Sequence, residues 1–244
     1  MIPRLADVPQ VVLDARAVVF DKDGTLLDLD TRWVAFFTGL VDAALETLGA
    51  LSVRGEVLAA LGVGSRSLVP HGIAAAGTGS DVRSVIITTL RGAGHDGDRV
   101  EAAVAAAYDS APMGRLAALG DPARVFRVLR DSGRRIGVAT ADDRARTLAD
   151  LEGLGLAGLV DAVNCGDDPV IKPDARVLTD MAALWEIEVA SIVMVGDSRH
   201  DLATARAAGA TFILVGDGGG PGGEARIDTV DDIAAVLASD ATGE

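Results

Sequence analysis

Apolar positions change their spacing along this chain, and each change predicts a different element. Val18 to Phe20 form a continuous apolar run of the kind found in a parallel strand buried on both faces, and the preceding VVLDARA reads as the lead-in to that strand. From Thr31 to about Tyr108 the period becomes helical. Thr31 is placed to cap RWVAFFTGLVDAALETLG, whose apolar residues recur at helical spacing until Gly49. VRGEVLAALG, SDVRSVIITTLRGAG and DRVEAAVAAAYDSA predict three further helices. Before the second of these lies GVGSRSLVPHGIAAAGTGS, a long glycine-studded loop whose only formal charge is Arg66.

After Pro112 the pattern alternates. Asp121 with Pro122 caps and opens the helix PARVFRVLRDSG. RRIGVAT reads as a strand, DDRARTLADLEGLG as a helix and LVDAVNC as a short strand. KPDARVLTDMAALW is predicted helical, SIVMVGD a strand, HDLATARAAG a helix closed by glycine, TFILVGD a strand and DTVDDIAAVLAS a final helix. Strands alternating with helices of this length predict an α/β fold, a Rossmann-like parallel sheet with helices on both faces. The helical block interrupts that alternation just after the first strand. The expected organisation is therefore a core made of residues 1–29 and 113–244, with a helical cap inserted at 30–112.

Composition narrows the function classes. A chain of 244 residues can bury a core as one large domain or two small ones, and 49% hydrophobic residues exclude a disordered protein. The longest apolar runs fall short of the roughly 20 residues that span a bilayer, so no membrane association is expected. MIPRLADVPQ has no apolar core followed by a cleavage site, so no signal peptide is expected and the expected location is the cytoplasm. Cys165 is the only cysteine, which rules out an internal disulfide and leaves it a small buried hydrophobe. A net charge of −14 argues against nucleic acid as a partner. Small anionic substrates remain compatible if a metal or a local cation offsets the field. Of the 22 basic residues only Lys22 and Lys172 are lysines, which makes each of them worth a question.

Candidate chemistry is expected at strand ends, because ligands of open parallel sheets bind outside the carboxyl ends of the strands. Asp21 and Asp23 come after Val18–Phe20; Thr140 after IGVA; Asp197, Ser198 and Asp201 after IVMVG; Lys172 and Pro173 lead toward that last strand. Such a sheet gathers several carboxylates, a hydroxyl and an ammonium at one rim. Uncompensated, the carboxylates would raise one another's pKa, and a bound divalent cation resolves the repulsion. Mg²⁺ suits an all-oxygen site that shares ligands with a substrate phosphate.

DKDGT, the strand-ending Thr140, Lys172-Pro173 and GDSRHD, in that order, resemble the four short motifs of the haloacid dehalogenase superfamily of phosphohydrolases. The resemblance covers essentially the whole chain, and the inserted helices look like the small helical cap of its phosphoglycolate phosphatase-like members. It implies that Asp21 is the nucleophile that forms an aspartyl-phosphate, and that Asp23 is the general acid and base. It further implies that Asp21, Asp197 and the main-chain carbonyl of Asp23 hold Mg²⁺. Thr140 and the amide of Ala141 would bind the phosphoryl oxygens, and Lys172 would neutralise charge on nucleophile and phosphate. Asp201 would support the metal or orient Lys172, with Ser198 beside it, and Asp201 also sits where a helix dipole favours an acid. An aspartate at the second motif position sets the chain apart from dehalogenase and phosphonatase members. KPDA departs from the pattern by lacking the family's common proline two positions after the first.

The remaining residues carry less. Lys22 occupies the variable position of the first motif and is given no role. Asp28, Asp30 and Asp217 read as solvated loop acids, and His200 as a surface histidine. Arg66 and His71, in the glycine-studded loop, are candidate partners for a substrate carboxylate, since a guanidinium binds carboxylate in bidentate fashion. The resemblance implies a small phosphorylated metabolite as substrate, with 2-phosphoglycolate the leading candidate. Two other classes stay open. A phosphosugar mutase shares the motifs and the aspartyl-phosphate, and a phospho-accepting receiver module gathers similar residues in a different strand order. A catalytically silent binding protein fits less well, because no motif residue is missing.

Overall fold

The computed structural model describes residues 8–216 and 225–242. The first seven residues, which carry much of the leader expectation, and Asp217, expected to be a loop acid, lie outside the described residues. The chain divides into two compact units, one holding the chain as far as Asp28 and again from Ala118, the other Leu29–Ala117.

The first unit is an α/β layer structure. Its strands are β1 (Ala17–Phe20), β2 (Arg135–Ala139), β3 (Ala162–Asn164), β4 (Ile192–Gly196), β5 (Thr211–Val215) and β6 (Ala225–Ile227). They form one six-stranded sheet in the order β3-β2-β1-β4-β5-β6, and every pairing is parallel. β1 and β4 are buried at every position, which is why they read as unbroken apolar runs. On one face Val18, Phe20, Val193 and Val195 join Phe126, Leu129 and Ile233; on the other Val19, Met194 and Phe212 join Leu178, Met181 and Trp185. Phe20 and Phe126 pack at 4.9 Å between ring centroids. Burying each such side chain is worth about 1.5–3 kcal/mol.

The helices of this unit are α1 (Val8–Asp14), α7 (Pro122–Asp131), α8 (Arg144–Gly153), α9 (Arg176–Trp185), α10 (Arg199–Ala208) and α11 (Asp231–Thr242). The second unit comprises α2 (Leu29–Leu48), α3 (Arg54–Leu61), α4 (Ile73–Ala76), α5 (Gly79–Gly92) and α6 (Gly97–Ser110). Its own core centres on Trp33, Phe36, Phe37, Ile86, Leu90 and Tyr108. Thr78 and Asp81 form a reciprocal capping box that opens α5. No helix among the described residues is long and apolar enough to cross a membrane.

Several expectations are corrected. VVLD is not part of a strand lead-in but the end of α1, because Val8 and Val12, four apart, bury one helical face. The long helix starts at Leu29, so Thr31 lies inside its first turn and is not the cap. Asp30 is not a solvated loop acid: it sits in that first turn, and its carboxylate accepts from the Leu68 amide at 2.8 Å. The loop from 62 to 80 contains the short helix α4 and a bridge between Val63 and Leu68. Lys172 precedes its helix, which begins only at Arg176. Strand β6 is not predicted by any pattern in the sequence.

Candidate active site

Adjacent strands β2, β1 and β4 end at one rim of the sheet, and the residue after each is polar: Thr140, Asp21 and Asp197. The Asp21 amide still donates to Val195 O at 2.8 Å, and the Thr140 amide to Asn164 O at 3.0 Å, so both residues extend the ladder while their side chains lie at the strand ends. The chain runs from β1 to β2 and β3 on one side, then returns to β4 on the other side of β1. Such a reversal of strand order opens a crevice beside the first strand.

Lys172 binds this rim together. Its Nζ donates to Asp21 Oδ1 at 2.6 Å and to Asp201 Oδ1 at 2.6 Å, and its side chain is 5% exposed. Asp201 is fully buried, and its second oxygen accepts from the Ser198 amide at 3.0 Å and from Ser198 Oγ at 2.6 Å. Ser198 Oγ in turn accepts from the Asp201 amide at 3.2 Å, which makes the pair the capping box of α10. Both oxygens of Asp201 are therefore engaged in holding other groups. Ligand oxygens of Asp21, Asp197 and Asp201 lie within 4.8 Å of one another.

Two glycines make that density possible. At Gly24, with φ +87°, a Cβ would stand 2.3 Å from Asp197 Oδ2. At Gly196 it would stand 2.4 Å from Asp201 Oδ2. A larger residue at either position would displace an acid.

The electrostatics are those of a crowded anionic site. Burial, and then the charge on Asp201, push the Asp21 carboxyl well above the usual range, while Lys172 pulls it back. Burial and Asp201 likewise push Asp197 up to about 7. Burial opposes the charge on Lys172, but Asp201 and Asp21 outweigh it and its pKa is raised. This donor set fits a hard divalent cation: the oxygens are close and all carboxylate, and a cation would compensate the repulsion that raises Asp21 and Asp197.

The other candidates have different surroundings. Thr140 is buried, and its hydroxyl accepts from the Asp142 amide at 3.1 Å; Ala141 beside it is half-buried. Asp23 is partly exposed, and its Oδ2 lies 2.8 Å from Lys22 Nζ. Arg66 and His71 are exposed in the loop between α3 and α4, His71 at φ +61°. Asp28 is half-buried, His200 exposed and Cys165 buried. Lys22, given no role from the sequence, is fully buried and faces Asp23, Asp142 and Asp150. No motif spacing marks Asp142 or Asp150, and only the fold brings them to the lysine.

Comparison with known proteins points to one family. A family model described as haloacid dehalogenase-like hydrolase matches residues 15–209. A phosphoglycolate phosphatase of Cupriavidus necator is 31% identical over 240 residues, covering 93% of this chain and 95% of the relative. One from Cereibacter sphaeroides is 31% identical over 202 residues, covering 82% and 85%. The crystal structure of a HAD phosphatase from Thermococcus onnurineus superposes with a TM-score of 0.64 at 22% identity, covering 91% of this chain and 97% of that one, and shares its fold.

Proposed function

We propose that this chain, which belongs to the haloacid dehalogenase-like hydrolase family and is a phosphoric monoester hydrolase, cleaves a small phosphorylated acid such as 2-phosphoglycolate through an aspartyl-phosphate. The observation that carries the reading is the Asp21 carboxylate at the end of β1, pinned at 2.6 Å by Lys172 with Asp197 alongside. One Asp21 oxygen attacks phosphorus, the bond to the substrate's ester oxygen breaks, and Asp23 delivers a proton to that leaving oxygen. Water then attacks the acyl phosphate, Asp23 takes its proton, and the Asp21–phosphorus bond breaks to free inorganic phosphate. Lys172 offsets the negative charge on Asp21 and on the transferring group, and Thr140 and the Ala141 amide orient the phosphoryl oxygens. Asp201, through its bonds to Lys172 and Ser198, holds the ammonium in place.

Asp21, Asp197 and the Asp23 carbonyl would hold Mg²⁺, which when bound would compensate the carboxylates and polarise the phosphate. The substrate class is supported by the relatives named phosphoglycolate phosphatase, and Arg66 and His71 are the proposed contacts to the substrate's carboxylate.

The test is phosphate release from a panel of phosphometabolites, with and without Mg²⁺. The expected result is release that is highest for 2-phosphoglycolate, lost in EDTA and restored by Mg²⁺. No release from any member overturns the reading. Conversion of a phosphosugar to its isomer with little free phosphate would identify a mutase instead.

A further inference from the structure

Lys22 stands between the two acids of the first motif, yet its ammonium turns into the core. Its side chain is 0% exposed, and Nζ lies 2.8 Å from Asp23 Oδ2, 3.0 Å from Asp142 Oδ2 and 2.9 Å from Asp150 Oδ2. Three carboxylates thus surround one ammonium. Asp142 comes from the turn after β2, two residues beyond Thr140, and Asp150 from α8. Asp142 Oδ2 and Lys22 Nζ, 3.0 Å apart and both buried, attract each other as opposite charges.

Such a knot is a poor device for stability, since buried ion pairs are often replaced by apolar residues at no loss. The exposures within it point elsewhere. Asp142 and Asp150 are 1% and 2% exposed, whereas Asp23 is 12% exposed. Only one member of the cluster reaches solvent to any extent, and it is the acid proposed to handle protons. Two inaccessible carboxylates therefore fix the lysine, and the lysine presents a fixed donor to Asp23.

Resting on the phosphatase reading, we propose that Lys22 is a positioning residue for proton transfer: anchored by Asp142 and Asp150, it holds the Asp23 carboxyl group, which carries the proton to be delivered, toward the leaving oxygen. The anchor also ties the first acidic turn to the turn carrying Thr140 and Ala141. Lys22 touches no substrate. It acts through Asp23, so its loss weighs on substrates whose leaving group needs a proton and spares those whose leaving group does not.

The experiment compares 2-phosphoglycolate, whose alkoxide leaves poorly, with p-nitrophenyl phosphate, whose phenolate leaves unprotonated. Single-turnover release of the leaving group, glycolate or p-nitrophenolate, at saturating full-length enzyme with Mg²⁺ reports the first step, and its rate constant is insensitive to an inactive fraction. For Lys22→Met the expected rate with 2-phosphoglycolate falls about 100-fold, with p-nitrophenyl phosphate less than about threefold, as expected when a proton donor is misplaced. Asp150→Asn, which keeps the lysine and loosens its anchor, is expected to show the same split at about tenfold, and it decides the matter if Lys22→Met does not fold. Equal losses on both substrates, or wild-type rates on both, would overturn the proposal. The underlying reading is checked separately: if the wild type releases no phosphate, or Asp21→Asn retains full rate, it is the phosphatase chemistry that has failed and not the role of Lys22.

Discussion

Asp21 and Asp23 lie two residues apart, yet their surroundings differ in kind. Asp21 is buried against Lys172, which suits an attacking oxygen held in one orientation. Asp23 is partly exposed against Lys22, which suits a group that exchanges protons with substrate and water. Asp21→Asn removes the oxygen nucleophile, and no phosphoryl adduct is expected on that variant. Asp23→Asn keeps the nucleophile and loses both proton transfers, typically worth about 10²–10⁴ in rate. With p-nitrophenyl phosphate it should still load Asp21 and then stall, so one phosphoryl group should appear by intact-protein mass spectrometry after an acid quench. An adduct on Asp21→Asn at wild-type level would reverse the assignment. Asp21, Thr140 and Asp197 are legible in the sequence because each directly follows a strand, and Lys172 and Asp201 because they stand in short motifs. Lys22 is not, because its partner Asp150 is 128 positions away and nothing local announces a buried ammonium. The seat of Asp30 is hidden for the same reason, since the amide it receives belongs to Leu68.

At the scale of elements, α10 does two jobs at its first turn. Ser198 opens the helix by exchanging hydrogen bonds with Asp201, and the same Asp201 orients Lys172. Ser198→Ala is expected to cost about 1 kcal/mol, as cap losses generally do. In a chain of this size that lowers Tm by about 2–4 °C. Because Asp201 loses a restraint, turnover should fall as well, and Ser198→Thr, which keeps the hydroxyl, should recover both. Melting curves and phosphate release on the two variants decide it: equal behaviour of Ala and Thr would mean that the hydroxyl matters to neither helix nor site. Elements with a long, clean period are readable. The four central strands and most helices announce themselves by unbroken apolar runs or by helical spacing. Those that escape are short. Strand β6 spans three residues, and α1 spans seven whose apolar content merges with the strand after it. The start of α2 is misplaced by the sequence because Thr31 offers a cap-forming side chain two residues inside a helix that begins at Leu29. Local cap chemistry is outweighed there by the seat Asp30 finds in its own unit.

For the whole molecule, the excess of 36 acidic over 22 basic residues sets a field that repels an anionic substrate and weighs on the buried carboxylates. The consequence is a coupling of stability, pH and metal. An aspartate titrates near about 3.9 in an unfolded chain, whereas burial and Asp201 place Asp197 at about 7 in the fold. Between those values the folded protein keeps a proton that the unfolded chain has lost, so the group's stabilising contribution is full below the unfolded value and is lost as pH rises through about 7. Asp21 is shifted in the same direction by burial and by the same neighbour. Asp142, raised to about 6 by burial against the pull of Lys22, adds the same sign of pH dependence. Metal-free protein should therefore lose thermal stability as pH rises from about 4 to about 7. A divalent cation binds the ionised carboxylates, and it stabilises the fold most where repulsion among them is greatest. The expected outcome of melts in EDTA and in excess Mg²⁺ is an increment in Tm that is clearly larger at the higher pH. Asp197→Asn, which removes the charge that Asp201 opposes, should flatten the pH dependence in EDTA and shrink the Mg²⁺ increment at both pH values. An increment that is the same at both pH values in the wild type, or one that survives unchanged in Asp197→Asn, would show that the cation binds away from these acids.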